Sequence, residues 1–207
     1  INNCDSNLYD CSKLWRPDTA HQASFAYLPY LVTWDYYYLE ELQFWSTYNF
    51  MYHPAAARQK EKWIVEWQIR AMAWSLRKLW QTAAITPDSH AMKNYWNTIV
   101  DNNLDNFNAL YTDNSNSNKL NILPLNLLYN NNRWMAPWQD DYFTWSVGYL
   151  GELWFAKAKR LFEWKSKFVL NRMTSPNFCW NFASSYSLIV RDTKTSPLYT
   201  DIWQVYN

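Results

Sequence analysis

Glycine is almost missing from this chain: two residues, Gly148 and Gly151, in 207. Phosphate-cradling loops and dinucleotide fingerprints each need two or three glycines in a short fixed pattern, so both are excluded. Hairpin turns of types I′ and II′ also draw on glycine, which argues against a hairpin-rich β-protein. Charge of one sign is missing too, with 19 Lys and Arg against 18 Asp and Glu. Without a basic run there is no electrostatic footprint for a nucleic-acid partner. No apolar stretch approaches the roughly 18 residues of a membrane span. Three cysteines and three histidines, none at ligand spacing, provide no zinc site, and no cofactor motif is present. Cys4 and Cys11 either close a short disulfide loop or stand as two reduced thiols.

What is abundant is aromatic: 15 Trp, 16 Tyr and 10 Phe. Such content excludes intrinsic disorder. The apolar periodicity is helical throughout. Asp18 is placed to cap a first helix that Pro29 bends or ends. Helices are expected near 35–51, 60–85, 89–111, 121–129, 138–158, 160–170 and 178–190, with a periodic last segment after Pro197. Asn and Asp tracts separate them, and the turns must rely on Asn, Asp, Ser or Pro. About eight helices with short connections predict an all-α fold of antiparallel helical hairpins over residues 1–207. The chain opens at Ile1 and is expected to be a segment of a longer protein.

The helix over 60–85 has two unlike faces. Val65, Ile69, Met72, Leu76, Leu79 and Ala83 form a core stripe. Opposite them run Trp63, Trp67, Arg70, Trp74, Arg77 and Gln81, spaced four, three, four, three and four apart. Indoles beside planar guanidinium donors suit sugar rings, and Arg pairs with sugar carboxylates. Those six residues are candidate glycan-binding positions lining a cavity. The same spacing also serves a helix sealed against a neighbour by cation–π contacts.

Trp138-Gln139-Asp140-Asp141 at a helix start is a second cluster. Trp138 and Gln139 are candidate binding residues, and Asp140 and Asp141 candidate acid–base groups. The carboxylates also suit a helix N-terminus. Asp141 and Glu152 lie eleven residues apart on the helix, about 16 Å of rise. That is too far for a glycosidase pair, whose carboxylates stand about 5–9.5 Å apart. A third cluster, Asp18-Thr19-Ala20-His21-Gln22, contributes His21 as a further catalytic candidate. Gly148 and Gly151, with Thr144, form a small-residue stripe that invites close approach by another helix or a large ring.

Three stretches together carry a resemblance: Asp18-Thr19-Ala20-His21-Gln22 with Tyr27-Leu28-Pro29-Tyr30-Leu31-Val32-Thr33; Arg70-Ala71-Met72-Ala73-Trp74-Ser75-Leu76-Arg77; and Ala136-Pro137-Trp138-Gln139-Asp140-Asp141. They resemble secreted bacterial helical-hairpin toroids of the six-hairpin-glycosidase type. The resemblance implies an α/α toroid, an extracellular or cell-surface location and a polysaccharide or glycan partner, and leaves hydrolase, lyase and inactive relative open. Trp34 stands where that pattern has Gly in the turn. Six hairpins need about twelve helices, so eight make a fragment or an incomplete toroid. The competing expectation is a structural or assembly module whose aromatics meet at subunit contacts.

Overall fold

The computed structural model describes residues 17–59, 64, 68–114, 117–124 and 128–206. It is mostly helical, with six α-helices and a two-stranded sheet among the described residues. The helices are α1 (Tyr27–Thr33), α2 (Tyr36–Met51), α3 (Ile69–Ile85), α4 (Lys93–Phe107), α5 (Pro137–Glu152) and α6 (Ala158–Thr174). Strands β1 (Trp134–Met135) and β2 (Leu188–Ile189) pair antiparallel, Trp134 opposite Ile189 and Met135 opposite Leu188.

Local chemistry sets the helix ends. Asp35 caps α2 by accepting the Tyr37 N–H at 3.0 Å. Trp34, between α1 and α2, takes a left-handed φ of 58° while its N–H returns to the Tyr30 carbonyl at 2.8 Å. Pro137 opens α5, where no intrahelical N–H is needed. Asp18 does not start a long helix; its carboxylate turns back on the Ala20 N–H, and α1 begins nine residues later with Pro29 in its first turn. Neither glycine has positive φ. The left-handed positions are Asn121, Asn130, Asn131 and Asn132, with Trp34, Gln59 and Trp154 as unexpected additions.

The central helix is α3. Its Ile69, Met72, Leu76, Leu79 and Ala83 are buried as the core stripe requires, with Trp80 beside them. The hairpins α2–α3, α3–α4 and α5–α6 are antiparallel. Between α2 and α3, Gln43 reaches Thr86, Ser46 reaches Thr82 and Asn49 reaches Ser75. Between α3 and α4, Lys93 Nζ donates to the Ala83 and Thr86 carbonyls at 2.9 and 2.8 Å. Between α5 and α6, Phe162 meets Gly148 and Lys165 meets Asp140. α3 and α5 are different: they lie side by side and run parallel, because Arg70 meets Trp138 and Gln139, Trp74 meets Tyr142, and Arg77 meets Trp145.

The all-α expectation holds for the helices up to α6 and is corrected around 121–129 and after Thr174. Described residues in the 121–129 stretch are not helical. Leu188-Ile189 becomes a strand, where a helix over 178–190 was expected, and only short 3-10 turns occur at Trp180–Phe182 and Ile202–Gln204. A short β-branched run carries no periodicity that separates strand from helix. Here the strand's hydrogen bonds decide: Val190 N–H reaches the Arg133 carbonyl at 2.9 Å and Ile189 N–H the Tyr206 carbonyl at 2.7 Å. A second core forms around them from Ile122, Met135, Phe168, Phe178, Leu188 and Val205. Among the described residues no helix is long and apolar enough to cross a membrane.

Candidate functional site

Trp63 and Trp67 of the aromatic stripe, and the Cys4–Cys11 alternative, lie outside the described residues. The rest of the stripe meets α5. Trp74 packs edge-on to Tyr142 with ring centroids 4.8 Å apart. The Arg77 guanidinium sits 4.1 Å from the Trp145 ring centroid, with the Trp74 and Tyr149 rings at 5.7 and 5.8 Å. Tyr142, Trp145 and Tyr149, spaced three and four apart, stack along α5 at 5.7 and 6.3 Å. Trp145 is 49% exposed, so this ladder keeps an open side. Gln81, on the same stripe, is buried, and neither its amide oxygen nor its amide nitrogen has a hydrogen-bond partner.

At the N-terminal ends of α3 and α5 two of the sequence clusters meet, Arg70 facing Trp138 and Gln139. The Arg70 backbone N–H, one of the donors a helix start leaves unpaired, reaches the Gln139 Oε1 at 3.1 Å. Its guanidinium lies 5.4 Å from the Trp138 ring centroid and donates to Gln68 at 3.3 Å. The Tyr186 ring lies 5.8 Å from Trp138. The Pro17–Asp18 segment is brought in by Tyr48, whose hydroxyl donates to the Pro17 carbonyl at 2.9 Å. Asp18 Oδ2 and His21 Nδ1 are 2.5 Å apart, both side chains exposed. Burial works against charge on Asp18. The Ala20 N–H, His21 and the positive charge of Arg70 outweigh it and hold the carboxyl below its ordinary value.

The two adjacent carboxylates of α5 have other partners. Asp140 is wholly buried and paired with Lys165, itself wholly buried, and it also accepts the Leu123 N–H at 3.4 Å. Burial pushes Asp140 up and Lys165 down, and each charge opposes the shift of the other. Asp140 therefore has no open face for an external ligand, and its side chain does not cap α5. Asp141 Oδ1 accepts from Arg172 Nη2 at 2.5 Å, while Arg172 Nη1 donates to the Ala183 carbonyl at 2.7 Å. That bridge ties the start of α5 to the end of α6 and to the C-terminal segment. Sequence reasoning missed Lys165 and Arg172. Their signal was present: Leu161, Lys165, Phe168 and Arg172 recur at four, three and four, placing two cations on the buried face of α6.

Beside the ladder a cleft of about 510 Å³ opens between α5 and α6, lined by Trp145, Tyr149, Gly151, Glu152, Lys159 and Phe162. Gly148 admits the Phe162 ring, and nothing stands within 4 Å of where a Gly151 Cβ would be. The small-residue stripe thus serves a close ring contact at one glycine and open space at the other.

The chain matches no protein-family profile, and neither a curated protein nor a solved structure is significantly similar to it.

Proposed function

We propose that this chain is a helical-hairpin segment of an α/α toroid that binds a glycan at the N-terminal ends of α3 and α5. The helix order supports the toroid: α3 and α5 run parallel in direct contact, and α2, α4 and α6 return antiparallel behind them. That alternation is what an inner and an outer layer of hairpins require. The observation that carries the glycan reading is the meeting of Arg70 with Trp138 and Gln139, with the Asp18–His21 pair near enough for the Arg70 charge to act on Asp18. An indole plane offers an apolar platform to a sugar ring, and a guanidinium and an exposed carboxylate–imidazole pair offer donors and acceptors to its hydroxyls.

With Asp140 buried and Asp141 bound to Arg172, His21, paired with Asp18, is the sequence-predicted acid–base candidate that stays open among the described residues. The test is a polysaccharide panel scored for both retention and release of new chain ends. Trp138→Ala and Arg70→Ala are expected to weaken retention at least tenfold. His21→Ala should abolish chain-end release while leaving retention. Undiminished retention by both of the first two variants would overturn the reading.

One observation favours a second reading, assembly through a second copy. α1 contains no charged residue, and Phe25, Leu28, Val32 and Trp34 around it are 66–80% exposed. Sedimentation velocity of the native chain and of Leu28→Asp/Val32→Asp tests it. A native dimer that the double variant dissociates supports assembly, and a native monomer at high concentration removes it.

A further inference from the structure

Resting on the glycan reading above, we infer that the ligand is an anionic, uronate-bearing polysaccharide held by Arg70 and Arg77 together along the partly exposed seam where α3 packs on α5.

Most other arginines here have an obvious structural task. Arg160 pairs with Asp113 and Arg172 with Asp141, while Arg133 and Arg191 donate to backbone carbonyls. Arg70 and Arg77 do not fit that pattern. Among the described residues no carboxylate lies within ion-pair distance of either guanidinium. Asp18 feels the charge of Arg70 but is bound to His21 instead. Arg77 is surrounded by the rings of Trp74, Trp145 and Tyr149, and the Nε of both arginines is buried without a partner among the described residues.

Half-buried cations without a counter-ion cost stability, and aromatic faces compensate only in part. A ligand carboxylate completes each site, because the planar guanidinium donates to it bidentately. The two arginines lie seven residues apart on one helix, about 10.5 Å of rise, so one extended polymer spans both. Trp138 beside Arg70 and Trp145 beside Arg77 give each cation its own ring platform.

The experiment compares affinity electrophoresis of the full chain on polygalacturonate and on the same polymer after carboxyl reduction to neutral galactan. The native chain is expected to be retarded by the first and at least tenfold less by the second, with retardation falling as salt rises. Arg77→Gln should lose at least tenfold on the uronate polymer, and Arg77→Lys should recover part of it. Equal retardation on both polymers overturns the anionic assignment and leaves the glycan reading standing. No retardation on either, or on other acidic and neutral polysaccharides, overturns both. Equal binding to polyglutamate shows that charge alone is read, which also overturns the inference.

Discussion

The edge of the Phe162 ring lies 2.8 Å from the point where a Cβ on Gly148 would stand. A methyl group there must displace the ring. Gly148→Ala therefore gains helix propensity of about 1 kcal/mol but loses more through overpacking, for a net loss of about 1 kcal/mol. Gly151→Ala meets nothing within 4 Å and should stabilise by about 0.5 kcal/mol. Urea unfolding of the two single variants gives opposite signs if this packing is right. Adding Phe162→Ala to Gly148→Ala should restore the propensity gain of the methyl group.

The Asp140–Lys165 pair predicts strong non-additivity. Lys165→Met leaves a buried carboxylate alone and should cost about 3–5 kcal/mol, as should Asp140→Leu. The double variant should recover most of that loss, giving a coupling energy that a double-mutant cycle reads directly. Additive single losses would show that the two groups do not interact.

Lys78 on α3 is wholly buried, with Asn49 Oδ1 at 3.5 Å as its hydrogen-bond partner, and burial pushes it down from 10.5 to about 7. A lysine depressed in the folded state binds fewer protons there than in the unfolded chain. Stability contributed by this site therefore rises with pH between about 7 and 10.5 and is lowest, and flat, below 7. Lys78→Met should flatten that profile and raise stability at pH 7 by roughly 1–3 kcal/mol. An unchanged slope between pH 7 and 10 in the variant would show that another group is responsible.

Trp34 occupies a left-handed conformation with its side chain 73% exposed. Trp34→Gly removes the steric cost of that backbone and loses only a tilted ring contact to Tyr30. A gain of about 1 kcal/mol is expected in thermal or urea unfolding, and a loss would mean that the indole packing outweighs the backbone strain.

These positions show how much of the molecule was legible beforehand. The helix beginning at Asp35 and the buried stripe of α3 followed from local rules, because each depends on neighbours within one or two helical turns, whereas the left-handed backbone of Trp34 did not. The sheet did not, since two-residue strands are defined by partners some fifty residues away. The meeting of Arg70 with Trp138 was visible as two candidate patches but not as one place. The role of Asp140 was hidden for a similar reason: its partner Lys165 reads, one residue at a time, as one more surface lysine.

The parallel course of α3 and α5 has an electrostatic consequence that does not depend on side chains. Backbone dipoles of antiparallel neighbours cancel, whereas those of two parallel neighbours add, each placing roughly half a positive charge at its N-terminus. The starts of α3 and α5 lie together at Arg70 and Gln139, so both positive ends converge on one spot. The C-terminal ends of the antiparallel α2 and α6 lie nearby, at Ser75 and Asp141, so the positive spot is confined to the α3–α5 seam and does not spread over that end of the bundle.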